Sequence, residues 1–537
     1  MRMNRRNFVK GTTSGLGAVG LGSRLGAGQS PQHPDKFAFE TPPPPIPAGD
    51  IKSTVSSDVV VVGAGIAGLM AAFAAAEAGA SVTLIEKIST FSARGGDITA
   101  LNSRLHERLN IRIDEDKVLH DLMKVQGGRI HQKIFRLWAR NSARVMNLVM
   151  DVLEAEGLKN YLVIPTRDEP VVIDRWPNPS QAPPGWNPLE EYTAEYPTCH
   201  RLGDTAPNQR GWLSIIEKKT RARGVAVHYN TKAVRLIRDQ PSGPVKAVIA
   251  QDKAGNYIQY AAVRGIVLAT GDYSYNKDMI EKYFPGANLR QGLIPTSMGE
   301  GHQMAMWIGA QMEKTPHAPL NDMTHALGTN AFLLVNRFGE RFCNEDLDTE
   351  AMARQAEEQH GCWLVVDSTW PEDLPRMGLG FYRVFRATEK TLKDFQDKVA
   401  KGTILEADSI EALAQKMKVP VDAFKKTIDR YNELVKGGRD LDFGKRPDRL
   451  TAVDTPPFYA HWNANPDNPM LIFGGMICNE RLQPLDANGK AIPALYLAGN
   501  TVGGRFKYAY PLLCPGISHG MAMTTGYLAG RFAFGLS

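Results

Sequence analysis

The sequence predicts an α/β protein whose main sheet is assembled from both ends of the chain. An apolar strand, a glycine turn, a helix and a second strand follow one another within residues 58–86. Two later apolar runs, residues 265–272 and 493–500, also end in glycine-containing turns. The 537 residues, 43% of them apolar, can bury a core large enough for two domains. Together these observations favour a nucleotide-binding sheet built from both ends of the chain, accompanied by a second domain.

The first 28 residues have the features of an export signal. The pair Arg5-Arg6 precedes Phe8, and the glycine-rich, weakly apolar stretch that follows carries the single charge Arg24. This arrangement resembles a twin-arginine signal, and the stretch is too short and glycine-rich to span a bilayer. We therefore expect residues 1–28 to be read by the twin-arginine translocase and the mature protein to be periplasmic or otherwise exported.

Charge and cysteine content exclude several classes of function. The chain has a formal net charge of +6, but residues 1–30 hold five basic side chains and no acid, so the remainder is nearer +1. A nearly neutral body gives no electrostatic reason to expect a nucleic-acid partner. The five cysteines form no C-x-x-C pair and no C-x-x-C-H haem motif, so we expect no metal site and no covalent haem.

Residues 29–53 are rich in proline, with the run TPPPPIP at positions 41–47. Proline lacks the amide hydrogen that helices and central strands need, so this segment is expected to be a stiff, extended linker. Folding is predicted to begin at Asp58.

Residues 58–86 have the pattern of a dinucleotide-binding βαβ unit. The run DVVVV at 58–62 predicts a buried strand, residues 69–78 an alanine-rich helix, and residues 81–85 a second strand. Glu86 ends that second strand, where a carboxylate can accept hydrogen bonds from ribose hydroxyls. Strand, turn, helix and acid all stand in the expected order, which makes the motif more specific than its glycines alone.

The glycines of the turn have separate roles. Gly63 permits the tight turn, Gly65 lets the backbone approach a pyrophosphate, and Gly68 allows the helix to pack closely on the strand. Ile66 and Ala67 complete the turn at the start of the helix, where backbone amides can bind an anion.

Small residues after the second strand would let the backbone run beside a flat ring, and further strands are predicted at 224–229, 247–250, 265–269 and 493–498. Outside the βαβ unit, the expected cofactor-binding residues are Lys87, Arg94, Gly95, Gly96, Asp97, Ala233, Ala269, Thr270, Gly271, Gly499, Asn500, Gly516 and Ile517.

The order of motifs resembles the fumarate reductase/succinate dehydrogenase flavoprotein superfamily. The turn at 63–68 is followed by ATG at 269–271, GEGHQMA at 299–305, NRFGERF at 336–342, GG at 474–475 and AGN at 498–500. The resemblance covers about residue 55 to the C-terminus. It implies a Rossmann-like FAD-binding domain in two parts, residues 54–289 and 455–537, with an inserted α+β cap at 290–454. Helical periodicity within that cap spans residues 409–434.

The resemblance also implies how FAD is held. Membrane-bound relatives attach FAD covalently through a histidine near the segment that reads SARGG at 92–96 here, and this chain has no histidine there. The cofactor is therefore expected to be non-covalent FAD.

The C-terminal segment departs from the fumarate pattern. Dicarboxylate reductases of the superfamily carry a histidine and then an arginine shortly after a double glycine, whereas residues 505–516 read RFKYAYPLLCPG. The cap segment expected to supply a proton-donating arginine, residues 365–371, contains none. Fumarate is therefore not the expected substrate.

The same segment resembles the active-site end of ketosteroid dehydrogenases, in which a tyrosine hydroxyl and a glycine amide donate to the carbonyl oxygen of an enone. The resemblance implies Tyr510 and Gly516 for these roles, although two extra residues separate them here. Packing or flavin support is the alternative role for Tyr510. Arg505 is the third catalytic residue expected, with a solvated surface position as its alternative.

These features predict an exported FAD-dependent reductase of an activated C=C bond, in an enone or enoate, within an apolar or aromatic small molecule. A periplasmic flavoprotein meets no NAD(P)H, so electrons are expected from an external cytochrome or quinone-linked carrier, as in anaerobic respiration. Two alternatives stay open: a ketosteroid-like dehydrogenase that introduces a C=C bond, and a non-catalytic FAD electron-transfer subunit.

Overall fold

Seven strands form the main sheet in a computed structural model that describes residues 37–163, 195–203, 209–285, 295–320, 327, 331–347, 349–378, 387–463 and 470–537. The predicted signal, residues 1–28, lies outside the described residues. Residues Ala38–Ser537 pack as one unit. Within the described part of the chain, no helix is both long and apolar enough to cross a membrane.

The strands are β1 (Ile51–Val62), β2 (Val82–Ile85), β3 (Ile98–Thr99), β4 (Asn160–Leu162), β5 (Cys199–Leu202), β6 (Ala226–His228), β7 (Lys232–Arg238), β8 (Val245–Gln251), β9 (Tyr257–Leu268), β10 (Ala318–Leu320), β11 (Leu333–Val335), β12 (Cys362–Val366), β13 (Ile404–Ala407), β14 (Phe458–Asn463), β15 (Leu471–Phe473) and β16 (Leu495–Leu497). The helices are α1 (Ile66–Glu77), α2 (Arg104–Arg108), α3 (Glu115–Val125), α4 (Gln132–Glu154), α5 (Arg210–Ala222), α6 (Lys277–Tyr283), α7 (Glu300–Trp307), α8 (Thr349–Glu358), α9 (Trp370–Met377), α10 (Glu389–Ala400), α11 (Ile410–Met417), α12 (Val421–Lys436) and α13 (Ile517–Phe534).

The main sheet has the strand order β6-β2-β1-β9-β8-β7, and β16 also pairs with β9. Strands β6, β2, β1, β9 and β16 are parallel, while β7, β8 and β9 are antiparallel. The run Val59 to Val62 is buried on both faces, which is why it reads as uninterrupted valine. Because β16 comes from the far end of the chain, the prediction of a sheet assembled from both ends is confirmed.

Helices α1 and α13 cross with almost no space between their backbones. A Cβ on Gly526 would lie 2.3 Å from the carbonyl oxygen of Ala67, and one on Gly530 would lie 2.1 Å from that of Ala71. Glycine is therefore required at both positions of α13 for this crossing. The contact holds the C-terminal helix over the start of α1.

A second, antiparallel sheet has the order β11-β12-β14-β13 and packs with α8 to α12 around two smaller apolar clusters, both made from residues 327–460. The largely parallel main sheet, with helices packed on it, confirms the predicted α/β fold class. Buried ion pairs occur here: Arg341 contacts Glu345 and Asp440, and Arg449 contacts Asp346. The domain boundaries at residues 289 and 454 stay a prediction.

The predicted start of folding at Asp58 was wrong. Strand β1 begins at Ile51, because its first half pairs with the long strand β9. The segment expected to be a stiff, extended linker contacts the folded body in its described part: the indole Nε1 of Trp307 donates to the carbonyl oxygen of Phe39 (2.8 Å), and Arg235 Nη1 donates to that of Pro43 (2.8 Å). The periodicity over 409–434 corresponds to two helices, broken where Lys418 has φ of 59°.

Candidate active site and cofactor cleft

A cleft opens where β1, β2 and β9 end, beside the first turn of α1. It encloses about 1050 Å³ of space between atoms, its open mouth included, a size suited to a large ligand. Thirteen of the residues predicted to bind a cofactor line it: Gly63, Gly65, Ile66, Ala67, Glu86, Lys87, Arg94, Ala233, Ala269, Thr270, Gly271, Gly499 and Asn500.

The other six predicted residues, Gly68, Gly95, Gly96, Asp97, Gly516 and Ile517, are not part of the cleft lining, and several of them pack directly behind it. A Cβ on Gly68 would lie 1.8 Å from the carbonyl oxygen of Gly63, so Gly68 sets the distance between helix and strand. Gly95 lies against the ring of His519, and Gly516 against the backbone of Asp97. These glycines shape the wall.

His519, expected as a helix residue near the flavin, also lines the cleft. Sequence reasoning missed further lining residues: Ser92, Gln209, Lys232, Thr296, Ser297, Glu300, Met304, Leu471, Ala498, Ser518 and Ala522. Some had a usable signal. Ser518 and Ala522 follow Gly516 on one face of α13, and Glu300 lies in the GEGHQMA motif. Thr296 and Ser297 sit in a loop with no motif, so only the folded chain reveals them.

The turn before α1 leaves space for a ligand close to the backbone. Gly63 has φ of +100°, and a side chain there would lie 2.5 Å from the carbonyl oxygen of Ala269. At Gly65, by contrast, a Cβ would meet no atom of the described residues within 4 Å, and Gly65 lines the cleft. Together with the amides at the start of α1, this geometry suits an anionic group such as a pyrophosphate.

Glu86 stands at the end of β2 and is fixed by the backbone. Its carboxylate accepts from the amides of Ala64 (2.7 Å) and Ile88 (3.0 Å), and burial raises its pKa. Each carboxylate oxygen has two lone pairs, so Glu86 can still accept from a ribose hydroxyl. Nearby, Lys87 forms an ion pair of 2.6 Å with Glu300.

A second ion pair lies farther along the cleft. Arg94 Nη2 is 2.8 Å from Asp272 Oδ2 and 3.3 Å from Ser297 Oγ. Burial raises the pKa of Asp272, but the charge of Arg94 and the hydrogen bonds from Ser274 outweigh burial and bring it to about 2. Asp272 is therefore an anion at neutral pH. Asp272 directly follows the ATG motif at residues 269–271, but that motif does not indicate that Arg94 is its partner.

Asn500 connects the cleft to Arg505. Its Oδ1 accepts from Arg505 Nη2 (2.8 Å), while Arg505 Nε donates to the carbonyl oxygen of Val502 (3.0 Å). The guanidinium is buried rather than at the surface, and its Nη1 has no hydrogen-bond partner among the described residues. Burial lowers the pKa of Arg505 to about 10, so it stays positively charged at neutral pH.

Tyr510 lies among aromatic rings behind the same wall. It stacks on Phe473 (5.5 Å between centroids) and meets Phe506 edge-on. Burial raises its pKa, so the hydroxyl keeps its proton. That hydroxyl accepts from the amide of Ser518 (3.2 Å), two residues beyond the glycine expected to be its partner. Gly516 itself, with φ of +81°, is the residue before the first turn of α13.

Asn500 and Ser518 line the cleft, and each bonds to one of these two predicted catalytic side chains. The fold therefore brings Arg505 and Tyr510 together one hydrogen bond behind the wall. Contact of either residue with a substrate stays a prediction.

A family model described as FAD binding domain matches residues 58–516 of this chain. The chain belongs to the FAD binding domain family. It is 29% identical over 514 residues to a vinyl phenol reductase of Lactiplantibacillus plantarum, covering 89% of this chain and 96% of that protein. A probable fumarate reductase of Shewanella frigidimarina is 27% identical over 487 residues, covering 86% of this chain and 72% of that protein.

Among solved structures, a 3-ketosteroid-Δ4-(5α)-dehydrogenase of Rhodococcus jostii superposes with a TM-score of 0.66 at 21% identity, covering 89% of this chain and 97% of that one. This similarity concerns the fold. The predicted flavoprotein superfamily, the FAD cofactor and the class of FAD-dependent oxidoreductase are confirmed. Non-covalent attachment stays a prediction.

The residues of the cleft fit FAD. One polar side-chain atom of its lining, Arg94 Nη1, is buried and has no partner within the described part of the protein. Buried polar groups are nearly always hydrogen-bonded, and an acceptor from a ligand would satisfy this one. The phosphate and ring oxygens of FAD are acceptors. Residues from both ends of the chain, from Gly63 to Ala522, would surround the cofactor.

Proposed function

We propose that this FAD-dependent oxidoreductase reduces an activated C=C bond, conjugated as in an enone or enoate, in a small apolar or aromatic molecule. The observation that carries the proposal is the buried pair Arg505 and Tyr510 among aromatic rings, directly behind the FAD cleft. Reduction of C=C bonds is supported by the relatives, which include a vinyl phenol reductase similar over nearly the whole chain.

The rings around this pair are buried and lie outside the cleft lining, and they give the proposed site an apolar surrounding. Phe473, Phe506 and Tyr510 pack edge-to-face and stacked, and Arg505 lies 5.1 Å from the ring centroid of Phe506. Aromatic rings offer large apolar contact area and preferred stacking geometries. Arg505 and Tyr510 provide donors for a single oxygen atom rather than a clamp for two carboxylates.

When bound and reduced, FAD supplies the hydride. The protein must then stabilise negative charge that develops on the substrate oxygen as the C=C bond is reduced. Tyr510 holds a proton at its hydroxyl, whose orientation is fixed by the Ser518 amide. Arg505 Nη1 is a charged donor without a protein partner in the described chain. Donors already oriented in a dry site act mainly on the transition state.

The electron donor in this proposal is an external cytochrome or quinone-linked carrier. The sequence has no C-x-x-C-H motif and therefore no covalent haem of its own. The proposed location is the periplasm, reached through the twin-arginine pathway, with the arginine pair at residues 5 and 6 as support.

An anaerobic screen tests the proposal. The purified holoenzyme is reduced with dithionite, and its flavin absorbance is followed after adding vinyl phenols, enones, enoates or steroid enones, with each saturated analogue as control. We expect at least one conjugated alkene to reoxidise the flavin and yield the saturated product. If every alkene fails while a soluble electron carrier reoxidises the flavin rapidly, the protein is an electron-transfer subunit. Flavin reduction by a saturated ketosteroid would indicate a dehydrogenase.

A further inference from the structure

Arg94 and Asp272 form an ion pair whose positive end faces the FAD cleft. Arg94 is part of the cleft lining, whereas Asp272 is fully buried and is not. The pair is close, at 2.8 Å. Any group bound in this part of the cleft therefore meets the guanidinium first and the carboxylate only behind it.

The guanidinium is held in one orientation by its partners. Asp272 accepts from Arg94 through Oδ2, from the amide of Ser274 through Oδ1 (3.0 Å), and from Asn500 Nδ2 through Oδ2 (3.3 Å). Ser297 Oγ lies 3.3 Å from the same nitrogen of Arg94. The other nitrogen, Nη1, is buried without a partner among the described residues.

Contacts link this pair to the side chains around Arg505 and Tyr510. Asp272 bonds to Asn500, which bonds to Arg505 and Ser518, and Ser518 bonds to Tyr510. Glu86, Lys87 and Glu300 lie at the ribose end of the cleft, and Lys87 Nζ donates to the carbonyl oxygen of Thr296, the residue before the Ser297 that contacts Arg94. The pair thus shares a hydrogen-bond network with the residues expected around the reacting ring.

We propose that Arg94, oriented by Asp272, contacts the flavin ring and raises its reduction potential. Electrons added to the ring make it more negative, and a fixed cation in a poorly solvated site stabilises that state. Asp272 acts through Arg94 and is a positioning residue. Because its carboxylate lies behind the cation, it moderates the charge felt by the ring. The inference requires bound FAD, and it does not depend on the identity of the substrate.

Neutralising the two side chains should shift the reduction potential of the flavin in opposite directions. Arg94→Gln removes the cation and leaves the Asp272 anion uncompensated, so the potential should fall. Asp272→Asn removes the anion behind a retained cation, so the potential should rise. Each shift should change the ratio of reduced to oxidised flavin at a fixed potential at least about tenfold, which is about 30 mV for a two-electron couple. Arg94→Lys keeps the charge and should stay near wild type.

The measurement is a spectroscopic redox titration of the holoprotein without substrate, with FAD content determined after denaturation. Arg341→Gln is the matched control, because it also removes a guanidinium from buried carboxylates, Glu345 and Asp440, in the region that carries the second sheet. Its potential should be unchanged. If Arg341→Gln does not fold, Arg430→Gln replaces it, since Arg430 pairs with Asp442 on an exposed side of the same region.

Several results would overturn the proposal. An unchanged potential in Arg94→Gln with FAD bound would show that the cation does not face the ring, and a loss of FAD affinity alone would assign it to the pyrophosphate. If Arg94→Gln and Asp272→Asn shift the reduction potential in the same direction, the substitutions disturb the structure around the flavin and do not act through charge. If Arg94→Gln cannot retain FAD, the other two variants decide. A raised flavin reduction potential in Asp272→Asn, together with a near-wild-type potential in Arg94→Lys, supports the assignment. Any other pattern contradicts it.

Discussion

At the scale of single residues, Gly65 is a position where a side chain should prevent cofactor binding without disturbing the fold. A side chain there would meet no described protein atom within 4 Å, so Gly65→Val should leave the folded protein intact. It would fill the space that the pyrophosphate needs. We expect a colourless protein with a wild-type circular dichroism spectrum and no flavin released on denaturation.

Gly49→Val is the control for this substitution, since position 49 is equally open and lies outside the cleft. It should purify yellow. A yellow Gly65→Val protein with full FAD content would show that the pyrophosphate is not bound at this turn.

Tyr510→Phe tests the proposed oxygen donor. The substitution keeps the ring that stacks on Phe473 and removes only the hydroxyl. Loss of a well-placed oxyanion donor costs about 100- to 1000-fold in turnover. Single-turnover reoxidation of the reduced variant by an accepted alkene should slow at least about tenfold, with FAD content and melting temperature near wild type. A slowing of less than about threefold would assign Tyr510 to packing, with Arg505 left as the donor.

The candidate site shows which residues a sequence can reveal. Positions such as Gly63, Gly65 and Gly499 were predictable, because a backbone that approaches a ligand closely requires glycine, and glycine is visible in the sequence. Asp272 and Ser518 were not, since their roles depend on side chains that meet across the fold. The alternative of a surface Arg505 was wrong because its segment packs against Phe473 and Phe506, which the local sequence does not encode.

At the scale of elements, the crossing of α1 and α13 predicts that a glycine-to-alanine substitution in a helix lowers stability, the opposite of its usual effect. Replacing glycine by alanine inside a helix normally stabilises it by about 1 kcal/mol. At Gly530 the added Cβ would lie 2.1 Å from the backbone of Ala71, which must move. Gly530→Ala should therefore destabilise the protein by about 1–3 kcal/mol, measured as a lower melting temperature by differential scanning calorimetry.

The same measurement on Gly49→Ala, where the added Cβ meets no neighbour among the described residues, should show little change. A melting temperature of Gly530→Ala at or above wild type would mean that the helices are farther apart than described.

Element types were more predictable than their limits. The valine run and the alanine-rich helix reflect burial and periodicity, which are local. The start of β1 at Ile51 depends on pairing with β9 some 200 residues later, and the docking of residues 38–50 depends on Trp307 and Arg235. Such partners are distant in sequence, so proline content alone predicted only a stiff, extended linker.

At the scale of the whole molecule, the export prediction concerns residues outside the described part. Replacing Arg5 and Arg6 by lysine should retain the precursor in the cytoplasm, because the twin-arginine pathway reads the guanidinium pair rather than positive charge. Cell fractionation and immunoblotting measure the outcome, with Arg24→Lys as control for an arginine outside the pair. Unchanged periplasmic activity of the double variant would contradict the assignment.

Fold class, superfamily and cofactor were predictable from the order of motifs, since each motif reports a backbone constraint set by the nucleotide. The limits of the predicted cap, residues 290 and 454, stay a prediction. The second sheet has its own apolar clusters, yet buried ion pairs such as that of Arg449 with Asp346 link segments that carry no shared sequence signal.

The pairing of β16 with β9, together with the packing of α13 on α1, has a consequence for biosynthesis. During translation, β1 and its glycine turn leave the ribosome more than 400 residues before their last neighbours exist. Until then the nucleotide cleft lacks the wall that carries Gly499, Asn500 and Ser518. We therefore expect flavin capture to follow synthesis of this wall, and a chain truncated before Leu495 to remain without flavin when FAD is added.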